Sequence, residues 1–155
     1  MGIGKGLLVG AAAGAAGTTA LNAVTYLDMA IRGRAASSAP ETAVQTIGGK
    51  LGLEVPGDPD TRQHRTTGLG ALLGIATGVG VGGVLGVARA AGWRLSLGRT
   101  AVLVGLAAML GSDTPMVLLG ISDAREWSVA DWLSDLAPHL AYGLASAATA
   151  QALDR

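Results

Sequence analysis

Two titratable side chains, Asp113 and His139, and one amide, Asn22, lie deep within apolar stretches of this 155-residue chain. An ionisable group in an apolar segment is costly to place in lipid, so such groups face a bundle interior and mark ion or proton paths. A carboxyl there binds a proton or a cation. An imidazole beside it shares or relays the charge, and an amide completes the polar shell. At about 1.5 Å of helical rise per residue, Asn22 lies about 13 Å from the face bearing the first and third connections, and Asp113 and His139 about 12 Å from it. One layer of the bundle thus holds all three.

Nearer that face lie Asp28, Asp131 and Asp135. Asp131, Asp135 and His139 recur every fourth residue and share one helical face. The arrangement reads as an acidic funnel with Asp28, Asp131 and Asp135 at its mouth and Asn22, Asp113 and His139 at its floor. A structural reading stands beside it. Asp131 suits a helix N-terminus, Asp28 and Asp135 suit the interface, and an Asp113–His139 bond can serve as glue between helices.

Other chemistries find little footing. The two histidines, His64 and His139, lie in separate segments without metal-ligand spacing. The absence of cysteine removes thiolate chemistry and disulfides. Ser112 stands beside Asp113 but lacks the surroundings of a nucleophile elbow, and the glycines form no phosphate-binding loop. We expect no enzyme, no cofactor and no metal. A formal net charge of zero argues against nucleic acid as a partner.

The elements that must position these residues read as membrane spans. Only 14% of residues are charged and the mean hydropathy is +0.46, against roughly a quarter charged in soluble domains. Four spans are expected, at about 6–31, 66–89, 100–121 and 131–153, forming one all-α integral membrane domain. Between Arg65 and Arg89 no charge occurs, and Gly70, Gly74, Gly78, Gly82 and Gly86 recur every fourth position. In water each interior glycine costs a helix about 1 kcal/mol. In lipid the backbone must stay helical, and such a line becomes a groove for close helix packing. Gly6, Gly10 and Gly14 repeat the spacing in the first span, its natural partner. We therefore expect a glycine zipper joining the first two spans.

The polar connection 32–65 contains a short interfacial helix at about 40–53, with Ser37 or Ser38 as cap and Pro40 and Glu41 in its first turn. Val55–Asp60 reads as turns. Within the third span, Gly111–Pro115 is expected to kink or unwind the helix. Lys5, Arg89, Arg94, Arg99 and Arg155 fall on one face of the membrane, and Arg32, Arg34, Lys50, Arg62, Arg65 and Arg125 on the other. The density of arginine in the short second connection leads us to expect both termini in the cytoplasm.

The string Thr19–Met29, followed by Arg32-Gly33-Arg34 and Ser37–Glu41, resembles a group of small actinobacterial membrane proteins. Asp113-Thr114-Pro115, Asp131-Trp132 and Pro138–Gly143 fit the same likeness, and His139-x-x-Tyr142-Gly143 resembles the last helix of YagU-like inner-membrane proteins. The resemblance implies a four-helix inner-membrane protein and carries no activity with it. Two functions remain open. One is a small transporter or channel-like protein with a proton- or cation-responsive site at Asn22, Asp113 and His139. The other is an accessory subunit that binds a larger membrane complex. The partners expected are the lipid bilayer and either further copies of the chain or that complex.

Overall fold

The computed structural model describes residues 1–154; Arg155, counted above among the cations, lies outside them. Among the described residues the chain is all-helical, with no strand. It forms α1 (Ile3–Arg32), α2 (Ala39–Lys50), α3 (Pro59–Ala90), α4 (Leu97–Leu118), a single 3-10 turn (Ala124–Glu126) and α5 (Val129–Leu153). Three of these, α1, α3 and α4, are long and apolar enough to cross a membrane. With 25 residues, α5 is long enough as well, since about 20 suffice. Asp131, Asp135, His139 and Gln151 dilute its apolar character, and it stands outside that set.

Local chemistry sets the boundaries. α2 begins where the Ala39 N–H donates to Ser37 Oγ at 3.2 Å. It ends at Lys50, short of the expected residue 53, because the Leu53 N–H turns back to Gly48 O at 2.9 Å and Gly52 takes a left-handed φ of 67°. α3 begins at Pro59, seven residues earlier than its apolar stretch. The Asp58 carboxylate accepts the Thr61 N–H at 2.9 Å, and proline suits a first turn that needs no donor. Part of the expected turn Val55–Asp60 is therefore helix. α4 runs through Pro115 without the expected interruption and stops at Leu118. Proline there removes one backbone donor, but only three residues of helix follow it, so little is left to kink away. Ser128 caps α5 in a reciprocal box with Asp131.

α1 lies at the centre of the packing, against α3 on one side and α5 on the other; α5 also meets α4, and α2 rests on α3. Each of these long pairs runs antiparallel, as their contacts show. A Cβ on Gly6 would lie 2.7 Å from Gly86 O, and one on Gly14 would lie 2.5 Å from Gly78 O. A Cβ on Gly10 would meet Gly82 O closer still. Only hydrogen fits at these positions. Between α4 and α5, Gly105 faces the His139 backbone and Gly143 faces Ala101 and Gly105. Tyr142, 1% exposed, packs beside Gly17 and donates its hydroxyl to Gly78 O at 2.6 Å, tying α5 to α3.

The expected line of five glycines on α3 divides. Gly78, Gly82 and Gly86 meet α1, Gly70 meets Pro40 and Glu41 of α2, and Gly74 faces open space. Four residues overshoot a 3.6-residue turn by about 40°, so the line winds around the helix away from α1.

At the end of the bundle where α3 and α5 finish, the buried Arg89 donates to Asp154 Oδ2 from Nε at 3.1 Å and from Nη2 at 2.9 Å; Arg94 adds a further bond. Burial pushes the Asp154 carboxyl upward, but the Arg89 hydrogen bond and the charges of both arginines outweigh it and hold it below its ordinary 3.8. Its contribution to stability is fully present above that ordinary value and is lost as pH falls through the lower folded one.

Two expectations follow. Gly82→Ala lowers stability in detergent by about 1–3 kcal/mol, the usual cost of overpacking, while Gly74→Ala leaves the thermal midpoint unchanged or higher. Asp154→Asn shrinks the loss of thermal midpoint between neutral pH and a pH of about 3, because it removes the group that titrates there.

Candidate functional site

Glycine packing between α4 and α5 fixes the backbone of His139, and from that point the site can be built outward. The His139 ring is 8% exposed, with Nδ1 at 2.8 Å from Asp135 O and at 3.4 Å from Asp135 Oδ1. A carbonyl oxygen only accepts, so Nδ1 carries the proton and Nε2 of the neutral ring is the acceptor. Nε2 lies 3.3 Å from Ser112 Oγ, and the same hydroxyl lies 3.1 Å from Asp113 Oδ1. It also reaches Met109 O at 2.9 Å and Ala108 O at 3.2 Å within α4. The single hydroxyl proton of Ser112 serves one acceptor at a time, so the serine bridges carboxyl and imidazole when Asp113 is protonated and donates to Oγ.

Asp113, Asp135 and His139 form the floor of a partly open cavity of about 390 Å³ between α1, α4 and α5, with Ser112 joining the first and last of them. Leu21 and Thr25 of α1, Met116 of α4, Pro138 of α5 and Trp127 of the last connection form its walls. The Trp127 indole N–H donates to Ser122 Oγ at 3.1 Å, and its ring meets Trp132 edge-on with centroids 5.0 Å apart. Asp113 and Asp135 lie close enough for their carboxyls to interact.

The rim carries both signs of charge. Asp28 accepts from Arg34 Nε at 2.5 Å, from Arg32 Nη1 at 3.4 Å and from Ser134 Oγ at 3.3 Å, while Arg32 also reaches Ser134 Oγ at 2.6 Å. Asp131 spends its carboxylate on the N-terminus of α5, accepting the Ser128 N–H at 2.9 Å and the Ser128 hydroxyl at 2.6 Å. The expected acidic mouth is therefore a balanced one, since Asp28 is held by two arginines and Asp131 serves a helix cap.

Asp113 and His139 come together as their depths suggested, and Asp135, expected at the mouth, lies on the floor beside them; Asn22 does not join them. It is half-buried, lies outside the cavity wall and makes no side-chain hydrogen bond among the described residues. Leu21 and Thr25 take the cavity side of α1 instead, and one residue of helix turns Asn22 by about 100° away from Leu21. Ser112, Ser134, Arg32, Arg34 and Trp127 belong to the site and were not singled out for it by sequence. For Ser112 the signal was its position beside Asp113 and one turn past Ala108, where serine bonds back to its own helix.

No family model, curated protein or solved structure matches this chain. The class that fold and site define is an all-α protein with three apolar helices of membrane-spanning length, which suggests a membrane protein.

Ser112→Ala removes the bridge and costs about 0.5–1.5 kcal/mol of thermal stability in detergent, the net worth of an ordinary hydrogen bond. Ser112→Thr, which keeps the hydroxyl, recovers most of it.

Proposed function

We propose that this chain is a four-span bacterial inner-membrane protein, closed by a glycine zipper, that binds a proton or small cation on the cavity floor and acts as a small transporter or channel-like protein. The observation that carries this reading is the Asp113–Ser112–His139 chain of hydrogen-bonding groups within a bundle of apolar helices. In this reading α5 is the fourth span. Its polar residues Asp135, His139 and Tyr142 turn inward, and Leu133, Leu140 and Leu144 are exposed on its outer side. The close contacts of Gly6, Gly10 and Gly14 with Gly78, Gly82 and Gly86 support the zipper. Both termini lie in the cytoplasm, so the cavity faces the opposite side.

The floor exchanges a proton in two coupled transfers. A protonated Asp113 donates to Ser112 Oγ, and the Ser112 hydroxyl proton passes to His139 Nε2. Asp113 is left ionised and His139 becomes an imidazolium whose Nδ1–H still bonds Asp135 O. The reverse transfer restores the starting state. A cation arriving beside Asp113 favours the ionised form and drives the proton towards His139. Asn22 has no part in this scheme.

Reconstituted vesicles test the reading. Wild-type protein is expected to leak protons or a monovalent cation, and Asp113→Asn to abolish the leak while helicity and oligomeric size stay constant. Purification with stoichiometric partner subunits and no leak in either form would overturn transport in favour of an accessory role.

A further inference from the structure

The cavity is larger and more apolar than a proton site requires, and its contents can be argued from its walls. Two carboxyls, Asp113 and Asp135, lie at the floor, and no arginine or lysine pairs with either among the described residues. The two nearby arginines, Arg32 and Arg34, are both turned onto Asp28. Asp135 Oδ2 is buried and takes no hydrogen bond. A buried carboxylate oxygen without a donor is costly, and Asp113 lies against Asp135, so a positive charge between the two carboxyls, a shared proton or a cation from outside the chain, stabilises this floor.

The walls decide what kind. A bare metal ion gathers about six oxygen ligands, and no group of three carboxylate or imidazole ligands converges among the described residues. The cavity volume of about 390 Å³ falls in the range of small-molecule sites, roughly 300–1,000 Å³. Leu21, Met116, Pro138 and the fixed Trp127 ring offer an apolar and aromatic surface to anything that reaches the floor. Indole attracts a cation placed against its face and also packs against hydrocarbon.

We infer that the cavity binds a small organic ammonium ion, with its charged head against Asp113 and Asp135 and its apolar part against Trp127, Met116 and Leu21. The inference rests on the cation-binding reading above and names the substrate class of that same site. The positive head satisfies Asp135 Oδ2, and the apolar part displaces water from the walls. The paired arginines at the rim leave the floor as the net negative region that such an ion seeks.

Benzylammonium, whose N–H groups can donate to Asp135 Oδ2, is the probe, titrated into the whole chain in detergent and followed by calorimetry and tryptophan fluorescence. Saturable one-to-one binding is expected, weakened at least tenfold by Asp135→Asn and by Asp113→Asn, both near-isosteric changes. Trp127→Leu is expected to weaken it as well and to lose most of the fluorescence change, although Trp93 and Trp132 remain. Absence of saturable binding to the wild-type protein would overturn the inference whatever the variants do, and so would equal affinity in Asp135→Asn. The vesicle assay separates the two proposals. An Asp113-dependent leak without ammonium binding removes the organic ligand and keeps the proton site, whereas carboxylate-dependent binding without any leak keeps the ligand and removes transport.

Discussion

The backbone-to-backbone approach of α1 and α3 is the contact on which the rest of the molecule depends. Gly6, Gly10 and Gly14 on one helix and Gly86, Gly82 and Gly78 on the other leave no room for a single Cβ. Dispersion attraction is small per atom pair and large in sum, and in lipid it replaces the hydrophobic effect as the force between helices. A helix pair drawn this close places α1 where it can also receive α5. Tyr142 then completes the trio, because its hydroxyl crosses to Gly78 O beside Gly17. Few bulky side chains are needed, and the chain contains no phenylalanine.

The same device shapes the polar end. Gly105 and Gly143 let α4 and α5 approach until the His139 carbonyl lies against α4. His139 therefore has a fixed backbone, and Ser112 meets its ring from the facing helix, with Asp113 bonded to that serine. Further along, the helices separate, and α1 contributes Leu21 and Thr25 to a cavity in place of a tight seam. The opposite end is closed by Asp154 between Arg89 and Arg94, a buried ion pair with good geometry. One end of the bundle is thus tied by charge and the other holds space.

Much of this was legible in the residues because its causes are local. Long uncharged runs announce α1, α3 and α4, and Asp131, Asp135 and His139 at intervals of four announce one face of α5. Other parts depend on tertiary geometry. Gly74 follows the same spacing as Gly78, yet the drift of a fourfold repeat on a 3.6-residue helix turns it outward. Asn22 shares the depth of His139 without sharing its direction, since depth follows from counting and azimuth from packing. Arg32 and Arg34 read only as cations on one membrane face, and the fold brings them with Ser134 onto Asp28. Pro115 read as a break, but the end of α4 at Leu118 leaves little helix for it to disturb. Asp58-Pro59 carried the start of α3 in plain view, as a capping acid followed by a first-turn proline.

Whether the cavity floor behaves as one hydrogen-bonded unit is read directly from the nitrogen chemistry of His139. Solid-state NMR of the ring-15N-labelled wild-type protein in bilayers distinguishes protonated from bare nitrogens. A ring with Nδ1 protonated and Nε2 bare is expected, its Nε2 resonance shifting in Ser112→Ala. A ring protonated on Nε2 with a bare Nδ1, unchanged by Ser112→Ala, would contradict that expectation and leave His139 a packing residue with no route to Asp113.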